Sequence, residues 1–173
     1  MNIRKLSNMT ETTIYYLEMR GADLHSARAL PPELAIHEAC IKQYQVNRML
    51  YQLVGEDWDW NEKSNWTNTD WQAYAEADSL RTWIAYHQGS IAGFFELRQI
   101  DSQCNELAYF GLAAKFIGKG FGAALLSAAI IQAWQWGNPQ RIIVNTCTLD
   151  HPNALPNYKA RGFSIYDTKV VAG

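Results

Sequence analysis

The sequence predicts an α/β (α+β) fold with a mixed sheet, in which an antiparallel meander leads into a β-α-β crossover and helices cover both faces. Two observations predict it. Residues 80–113 show the period of three consecutive strands, separated by turn signals at Gln88–Gly89 and Asp101–Ser102. A glycine loop, an alanine- and leucine-rich helix and an apolar strand follow. This is the order of a crossover unit, and such units are right-handed.

Size and composition predict one globular domain over residues 1–173. The chain is 48% apolar and 18% charged, and its formal net charge of -2 offers no basic surface for nucleic acid. The sequence has no long apolar span and no basic-then-apolar leader, so we expect neither export nor membrane insertion. The three cysteines form no CxxC pair, which favours a reducing cytoplasm, and the four histidines lack metal-ligand spacing, so we expect no metal.

The first half of the chain is predicted to contain one strand and two helices. β-Branched and aromatic residues favour a strand over Thr13–Arg20. Apolar residues at helical spacing predict a helix from about Glu33 to Val54, and Gly55 supplies its stop. A shorter helix is expected over Asp70–Ala77, with Thr69 as its N-cap.

The second half is predicted to supply most of the sheet. The predicted elements are strands at 80–87, 90–100 and 104–113, a helix at 120–136, a strand at 141–148, a helix within 151–162 and a strand at 163–171. Gly137 and Gly162 supply the helix ends. The predicted order is therefore β-α-α-β-β-β-α-β-α-β. The sequence leaves open whether a seventh strand exists and whether a second copy completes the sheet edge as a homodimer.

Four tryptophans lie in the polar stretch that follows the first predicted helix. They are Trp58, Trp60, Trp66 and Trp71. Two interpretations stay open, because such rings can wall a substrate pocket or anchor a loop onto the core. The acids among them would suit a cationic or aromatic amine, or they form an ordinary solvated loop. These acids are Asp57, Asp59 and Glu62.

Three alternating glycines in "KFIGKGFGAALL" (Lys115–Leu126) precede the helix predicted at 120–136. Glycine lets the backbone bend sharply and approach a ligand closely, and the free N–H groups at a helix start suit a phosphate. A Walker loop needs Gly-Lys followed by Ser or Thr, but Gly120 follows Lys119 here. A dinucleotide fingerprint belongs after the first strand of its unit, whereas three antiparallel strands precede this loop.

Two segments resemble motifs of the GNAT N-acetyltransferases. "IGKGFG" (Ile117–Gly122) resembles motif A, and "NALPNYKARGF" (Asn153–Phe163) resembles motif B. "YFGLAAKFIGKGFG" and "TCTLDHPNALPNYKARGF" are similar to a bacterial subgroup of the family with no assigned acceptor. The resemblance covers roughly Leu80 to Val171. It implies a loop whose amides hold the diphosphate of coenzyme A, and a V-shaped gap between two strands that holds the pantetheine arm.

The resemblance implies acetyl-CoA as the cosubstrate and no metal. The implied cofactor-binding residues are Leu112, Ala113, Ala114, Ile117, Gly118, Lys119, Gly120, Phe121, Gly122, Asn153 and Tyr158. The Gln or Arg that opens motif A in the family is Ile117 here, and Lys119 is the candidate to compensate for that lost phosphate contact. His151 replaces an asparagine that is common in motif B, and Asn153 lies nearby.

The resemblance also implies three catalytic groups. Glu106 stands where histone-type members carry a base, which must deprotonate an amine of pKa about 10.4; the alternative is a solvated charge at a strand start. A backbone N–H at Leu112 would polarise the thioester carbonyl. Tyr158 stands where many members place a proton donor for the coenzyme sulfur, with core packing as the alternative.

Three further residues close to motif B carry groups that can take part in chemistry. Asp150 and His151 allow two interpretations, a proton relay and a cap for the following helix, and the proline after them favours the cap. Cys147 has no evident cationic partner that would activate its thiol, so we expect no covalent catalysis.

The sequence thus predicts an acetyl-CoA-dependent N-acetyltransferase. It would act by direct transfer on a primary amine of a small molecule or on an exposed protein amine. The alternative is a noncatalytic acyl-CoA-binding sensor that keeps the glycine loop. Transfer to oxygen, or transfer of a longer acyl chain, is a third hypothesis, because acyl length depends on pocket walls that the sequence does not reveal.

Overall fold

A computed structural model describes residues 11–22 and 26–172, and this part of the chain contains seven strands and four α-helices. The strands are β1 (Thr12–Met19), β2 (Leu34–Glu38), β3 (Leu80–His87), β4 (Ser90–Asp101), β5 (Cys104–Leu112), β6 (Arg141–Cys147) and β7 (Ser164–Val171). The helices are α1 (Tyr44–Gly55), α2 (Asn68–Ala75), α3 (Phe121–Gln135) and α4 (Ala154–Ala160), with a 3-10 turn at Ala114–Phe116. From β3 onward the elements lie close to their predicted bounds.

All seven strands form one sheet in the order β2-β3-β4-β5-β6-β1-β7. Neighbouring strands are antiparallel except β5 and β6, which run parallel and are joined by the crossover through α3. This arrangement confirms the predicted mixed sheet with a meander and a crossover. The early strand β1 is inserted between β6 and β7, so the last strand of the chain occupies one edge of the sheet.

The predicted helix from Glu33 to Val54 is wrong in its first part, because β2 occupies that stretch and α1 begins only at Tyr44. β2 pairs antiparallel with β3 and forms the other edge of the sheet. Along it Leu34 is buried and Ala35 is exposed, which is the alternation of a strand rather than a helical period. The predicted element order therefore lacks one strand, and the sheet does contain a seventh.

The start of α2 also differs from the prediction, because Thr67 and not Thr69 is its N-cap. The Thr67 hydroxyl accepts the N–H of Asp70 at 3.2 Å, and the Asp70 carboxylate accepts the N–H of Thr67 at 2.8 Å. This reciprocal pair is a capping box, which satisfies two backbone donors at once. It fixes the position of the residue directly before it, Trp66.

The sheet carries a core on each face. Along β4, Phe95 points into the main core beneath α3 and α4, while its neighbour Phe94 points into a smaller core beneath α1. Leu50 and Val54 of α1 complete the smaller core. Helices therefore cover both faces, as predicted, and the two faces are distinct environments.

A bulge in β5 determines which of its side chains reach the α1 face. Leu107 lies opposite Leu97 and Tyr109 lies opposite Glu96, so Ala108 between them has no partner. Directly paired residues share a face of the sheet. Tyr109 and Glu106, whose partner is Arg98, consequently both lie on the α1 face.

β5 and β6 pair only over their first residues. Residues 104–106 lie opposite residues 141–143, and the parallel pairing stops there. The remaining residues, 107–112 and 144–147, diverge toward the glycine loop that follows β5. The result is a V-shaped gap in the middle of the sheet, between the neighbouring strands β5 and β6.

Candidate active site

One cavity of about 800 Å³ occupies the gap between β5 and β6. Its walls come from the diverging halves of both strands, the glycine loop with the start of α3, α4 with the turn before it, and the segment at 58–63 after α1. Because α1 and α3 cover opposite faces of the sheet, the cavity connects the two faces through the gap. Two ligands that enter from opposite faces would meet inside it.

The structure brings most of the predicted site residues to this cavity. Its wall includes Glu106, Leu112, Ile117, Gly118, Gly120, Gly122, Asn153 and Tyr158. The others lie outside the wall: Ala113, Ala114, Lys119 and Phe121. Ala113 and Phe121 are buried in the main core, and the N–H of Ala113 donates to the carbonyl of Ala92 at 2.9 Å.

The glycine loop turns through left-handed backbone at Gly118 (φ 81°) and Gly120 (φ 82°), which side chains rarely adopt. Gly120 is the N-cap of α3, and no side chain caps the first N–H groups of this 15-residue helix. A Cβ at Gly120 would meet nothing within 4 Å, so the space over the helix start is open. Uncapped amides, the positive helix end and open space together fit the diphosphate of coenzyme A.

Tyr158 of α4 is 5% exposed, and its ring packs against Phe110 and Phe163 at centroid distances of 6.1 and 5.9 Å. It also lines the cavity, so the geometry allows both core packing and proton donation. Burial, and after it the negative charge of Asp150, raise the pKa of Tyr158. The hydroxyl therefore stays protonated at neutral pH.

Glu106 lines the cavity on the α1 face and is bound by Arg98. The Arg98 Nε and Nη2 atoms lie 2.8 and 2.6 Å from Oε2 of Glu106. The Glu106 side chain is 12% exposed. Both contacts fall on Oε2, which leaves Oε1 as the oxygen that could accept a proton or hold a water molecule in the cavity.

The turn before α4 is organised differently from the cap that the sequence favours. Asn153 is the N-cap of α4, whereas the Asp150 carboxylate accepts hydrogen bonds from the Thr146 hydroxyl and the Cys147 N–H and closes the turn after β6. Asp150 therefore stabilises the strand end rather than the helix start. His151 Nδ1 accepts the N–H of Asn153 at 3.0 Å and is held in the turn.

Two of the four tryptophans line the cavity, and the other two pack together at the start of α2. Trp58 and Trp60 line the cavity, and the ring centroids of Trp58 and His151 lie 4.9 Å apart. Trp66 and Trp71 pack against each other at 5.2 Å and anchor the start of α2. The sequence analysis missed further wall residues: Lys63, Tyr74, Arg98, Tyr109 and Asn157. Tyr109 and Asn157 lie within the segments that resemble the family, whereas no local motif marks Lys63, Tyr74 or Arg98, which come from separate parts of the fold.

A buried carboxylate lies directly behind the α1 side of the cavity. Glu96 is 2% exposed, and it accepts hydrogen bonds from Asn47 Nδ2 at 2.7 Å and from the Tyr74 hydroxyl at 2.6 Å. Burial raises the pKa of Glu96, and the two hydrogen bonds and the charge of Lys63 only partly offset this effect. Tyr74 thus links a buried acid to the cavity wall.

Glu96→Gln is expected to stabilise the chain at neutral and alkaline pH. The pKa of this carboxyl in the folded chain lies above its ordinary value of 4.5, so the folded chain binds more protons and unfolding becomes easier as pH rises above that value. Glutamine keeps an oxygen for Asn47 and carries no charge to desolvate. We expect a gain of about 1 kcal/mol at about pH 8 that shrinks toward about pH 5.

The measurement is urea unfolding of both chains across that pH range, with Glu33→Gln at an exposed carboxyl as the control. The control should follow the original chain at every pH. A Glu96→Gln chain that is less stable at about pH 8 would mean that the ionised carboxylate is net stabilising, and would contradict the assignment.

Comparison with known protein families agrees with the fold. Residues 47–163 match the model of the Acetyltransferase (GNAT) family. This match covers more than half of the chain, so the chain belongs to the GNAT acetyltransferase family. No curated protein matches the chain.

Three solved structures show the likeness of fold. A GCN5-related N-acetyltransferase from Kribbella flavida has a TM-score of 0.66 at 15% identity, over 91% of this chain and 56% of its own. A tandem GNAT protein from the clavulanic acid biosynthesis pathway has a TM-score of 0.65 at 14% identity, over 91% of this chain and 51% of its own. A GNAT family acetyltransferase from Elizabethkingia anophelis with acetyl-CoA bound has a TM-score of 0.58 at 19% identity, over 79% of this chain and 80% of its own. This chain spans about half the length of the first two.

Three further features of the described residues bear on the predicted class. No helix within 11–22 and 26–172 is long and apolar enough to cross a membrane. The same residues contain no group of three or more His, Cys, Asp or Glu side chains arranged to hold a metal ion. Cys40, Cys104 and Cys147 are all free thiols, and burial raises the pKa of the Cys147 thiol, which disfavours the nucleophilic thiolate.

Proposed function

We propose that the chain is an acetyl-CoA-dependent N-acetyltransferase that transfers acetyl directly to a primary amine of a small molecule or to an exposed protein amine. One observation carries this proposal. A single cavity joins the uncapped start of α3, a buried tyrosine of α4 and a carboxylate of β5 through the gap in the sheet. Held from opposite faces, coenzyme and acceptor would meet in the gap, which suits a single direct transfer. The three free thiols favour a cytoplasmic location.

Coenzyme binding would rest on main-chain groups. The amides of Gly120 and Gly122 at the start of α3 would hold the diphosphate, and Leu112 and Asn153 would border the path of the pantetheine arm. Bound acetyl-CoA supplies the acetyl group as an activated thioester. Because amide donors do not depend on side-chain identity, the isoleucine at position 117 in place of Gln or Arg is compatible with this mode.

The proposed chemistry forms one C–N bond, breaks one C–S bond and moves one net proton from the amine to the sulfur. Glu106 would accept the proton of the attacking amine through Oε1, directly or through water, while Arg98 holds Oε2. Main-chain N–H groups of β5, at Leu112 or at the unpaired Ala108, would stabilise the carbonyl oxygen. Tyr158 would donate a hydrogen bond and a proton to the departing sulfur.

Thiol release separates this proposal from the noncatalytic sensor. The full chain is incubated with acetyl-CoA and a panel of primary amines, and free coenzyme A is measured with a thiol reagent. Binding of coenzyme A is measured in parallel by calorimetry. We expect binding together with amine-dependent release. Binding without release from any amine would favour the sensor, and no binding would remove both.

A further inference from the structure

The ammonium of Lys63 lies inside a box of three aromatic rings. Its Nζ is 3.6 Å from the centroid of Trp66, 4.3 Å from that of Tyr74 and 5.2 Å from that of Tyr109. All three distances are within the range at which a cation is attracted to a ring face. The rings come from the segment before α2, from α2 itself and from β5. We call these three residues the aromatic box.

The aromatic box holds the ammonium without a direct ionic partner. Across residues 11–22 and 26–172, no hydrogen bond or ion pair involves Nζ of Lys63, and its backbone N–H donates to the Tyr51 hydroxyl at 3.3 Å. Burial lowers the pKa of Lys63, and the attraction of Glu96 behind Tyr74 opposes this effect only in part. The backbone is thus anchored, while ring faces surround the charged end.

The aromatic box opens onto the acceptor side of the cavity. Lys63, Tyr74 and Tyr109 all line it, on the α1 face and opposite the helix start that fits the diphosphate. The acidic side chains on this side of the cavity are Asp59, Glu62 and Glu106. Arg98 already binds Glu106. Without Lys63, the carboxylates of Asp59 and Glu62 leave this side of the cavity with a net negative charge beside aromatic rings, which suits a cationic ligand.

We propose that the aromatic box is the subsite for a cationic group of the acceptor, and that Lys63 occupies it as an internal placeholder until the acceptor displaces it. This inference rests on the proposed function and names its substrate class. Ring faces stabilise a charged nitrogen, whereas the attacking nitrogen must be neutral. The nitrogen in the box is therefore not the nucleophile, and the acceptor is a primary amine that carries a second, cationic nitrogen.

The placeholder competes with the acceptor as a tethered ligand does. A group on a short flexible tether acts at an effective concentration of about millimolar, so an acceptor must bind well enough to displace it. Removing the Lys63 side chain should lower the KM for a diamine about tenfold. Lys63→Arg keeps a cation that binds ring faces and should behave like the original chain.

The aromatic box can be tested without any turnover. Choline carries a quaternary ammonium and no primary amine, and 3,3-dimethylbutan-1-ol is its neutral analogue of the same shape. Both are titrated against the full chain and the Lys63→Ala and Lys63→Arg variants, while the indole N–H signals are followed by NMR. We expect choline to bind Lys63→Ala about tenfold more tightly than the original chain, and the neutral analogue to bind it far more weakly than choline.

Two outcomes of this titration would overturn the proposal. One is equal binding of choline and its neutral analogue to Lys63→Ala. The other is choline binding to Lys63→Ala no more tightly than to Lys63→Arg. Trp66→Leu in the Lys63→Ala background should abolish the choline response. Thermal melting confirms that each variant is folded, and Lys63→Met, which keeps the length of the side chain, repeats the test if the alanine variant is not.

Turnover then separates the aromatic box from the proposed function. With acetyl-CoA present, 1,5-diaminopentane should have a lower KM than 1-aminopentane, and Lys63→Ala should widen that difference through KM. Turnover of both amines with equal KM would overturn the box and leave the acetyltransferase proposal standing. Selective choline binding without any turnover would support the box and sink the proposed function. Acetyl found on Lys63 by mass spectrometry would make Lys63 an acceptor and overturn its role as a placeholder.

Discussion

Tyr158→Phe is expected to lower kcat about a hundredfold, with coenzyme A binding unchanged. The variant removes only the hydroxyl, and the ring keeps its contacts with Phe110 and Phe163, so the core should be preserved. Removing a positioned proton donor typically costs a factor of about 10² to 10⁴. We expect the lower end, because burial raises the pKa of Tyr158 and makes it a reluctant donor.

The loss of kcat in Tyr158→Phe should not depend on pH. The pKa of Tyr158 lies above the ordinary tyrosine value of 10.0, so the hydroxyl keeps its proton throughout an assay between about pH 6 and about pH 9. The ratio of the two kcat values should therefore stay constant over this range. Tyr166→Phe on the exposed strand β7 is the matched control and should keep full activity. A Tyr158→Phe enzyme with unchanged kcat would assign proton donation elsewhere.

The local signals of the sequence explain which parts of the fold could be predicted. The meander and the crossover are built from neighbouring segments, so period and turn residues were sufficient for them. The sequence does not reveal β2, because β2 is an edge strand of only five residues between two prolines and helix α1. Its pairing partner β3 begins more than forty residues later. The insertion of β1 between β6 and β7 is likewise a long-range pairing that no short pattern encodes.

The candidate site likewise has parts that the sequence predicts and parts that it does not. The glycine loop and Tyr158 lie in contiguous motifs, so the sequence alone is sufficient to identify both as candidates. The aromatic box requires a helix cap at Thr67, a bulge at Ala108 and a position of α2 that brings Tyr74 to Lys63 beside Tyr109 of β5. The cap has a local signature, Thr67-x-x-Asp70, although the sequence analysis placed it at Thr69. The bulge and the packing have none around Lys63, because they depend on distant parts of the chain. The main-chain N–H donors of the site cannot be predicted from side-chain identity, because their direction depends on the backbone geometry.

Gly120→Ala is expected to weaken coenzyme A binding about a hundredfold in a chain that still folds. Gly120 has a φ of 82°, where a side chain costs about 1–2 kcal/mol. A loop that relaxes from this angle turns its amides away from the cavity. Losing one or two hydrogen bonds to a charged diphosphate, each worth about 1.5–3 kcal/mol, accounts for the hundredfold.

Gly89→Ala is a closely matched control for the backbone strain. Gly89 has a φ of 81°, and a Cβ at either glycine would meet nothing within 4 Å. Gly89 lies in the turn between β3 and β4 and does not line the cavity. The two variants should therefore lose similar stability in thermal melting, while only Gly120→Ala loses affinity for coenzyme A in calorimetry.

A ligand without phosphate tests whether Gly120→Ala acts through the diphosphate. Pantetheine lacks the diphosphate, so Gly120→Ala should bind it as the original chain does, and the loss should appear only with coenzyme A. Equal losses for both ligands would mean that the substitution distorts the whole gap between β5 and β6. Unchanged affinity for coenzyme A would show that the start of α3 does not hold the diphosphate. Glu106 and Tyr158 would then lose the anchor that brings a thioester between them.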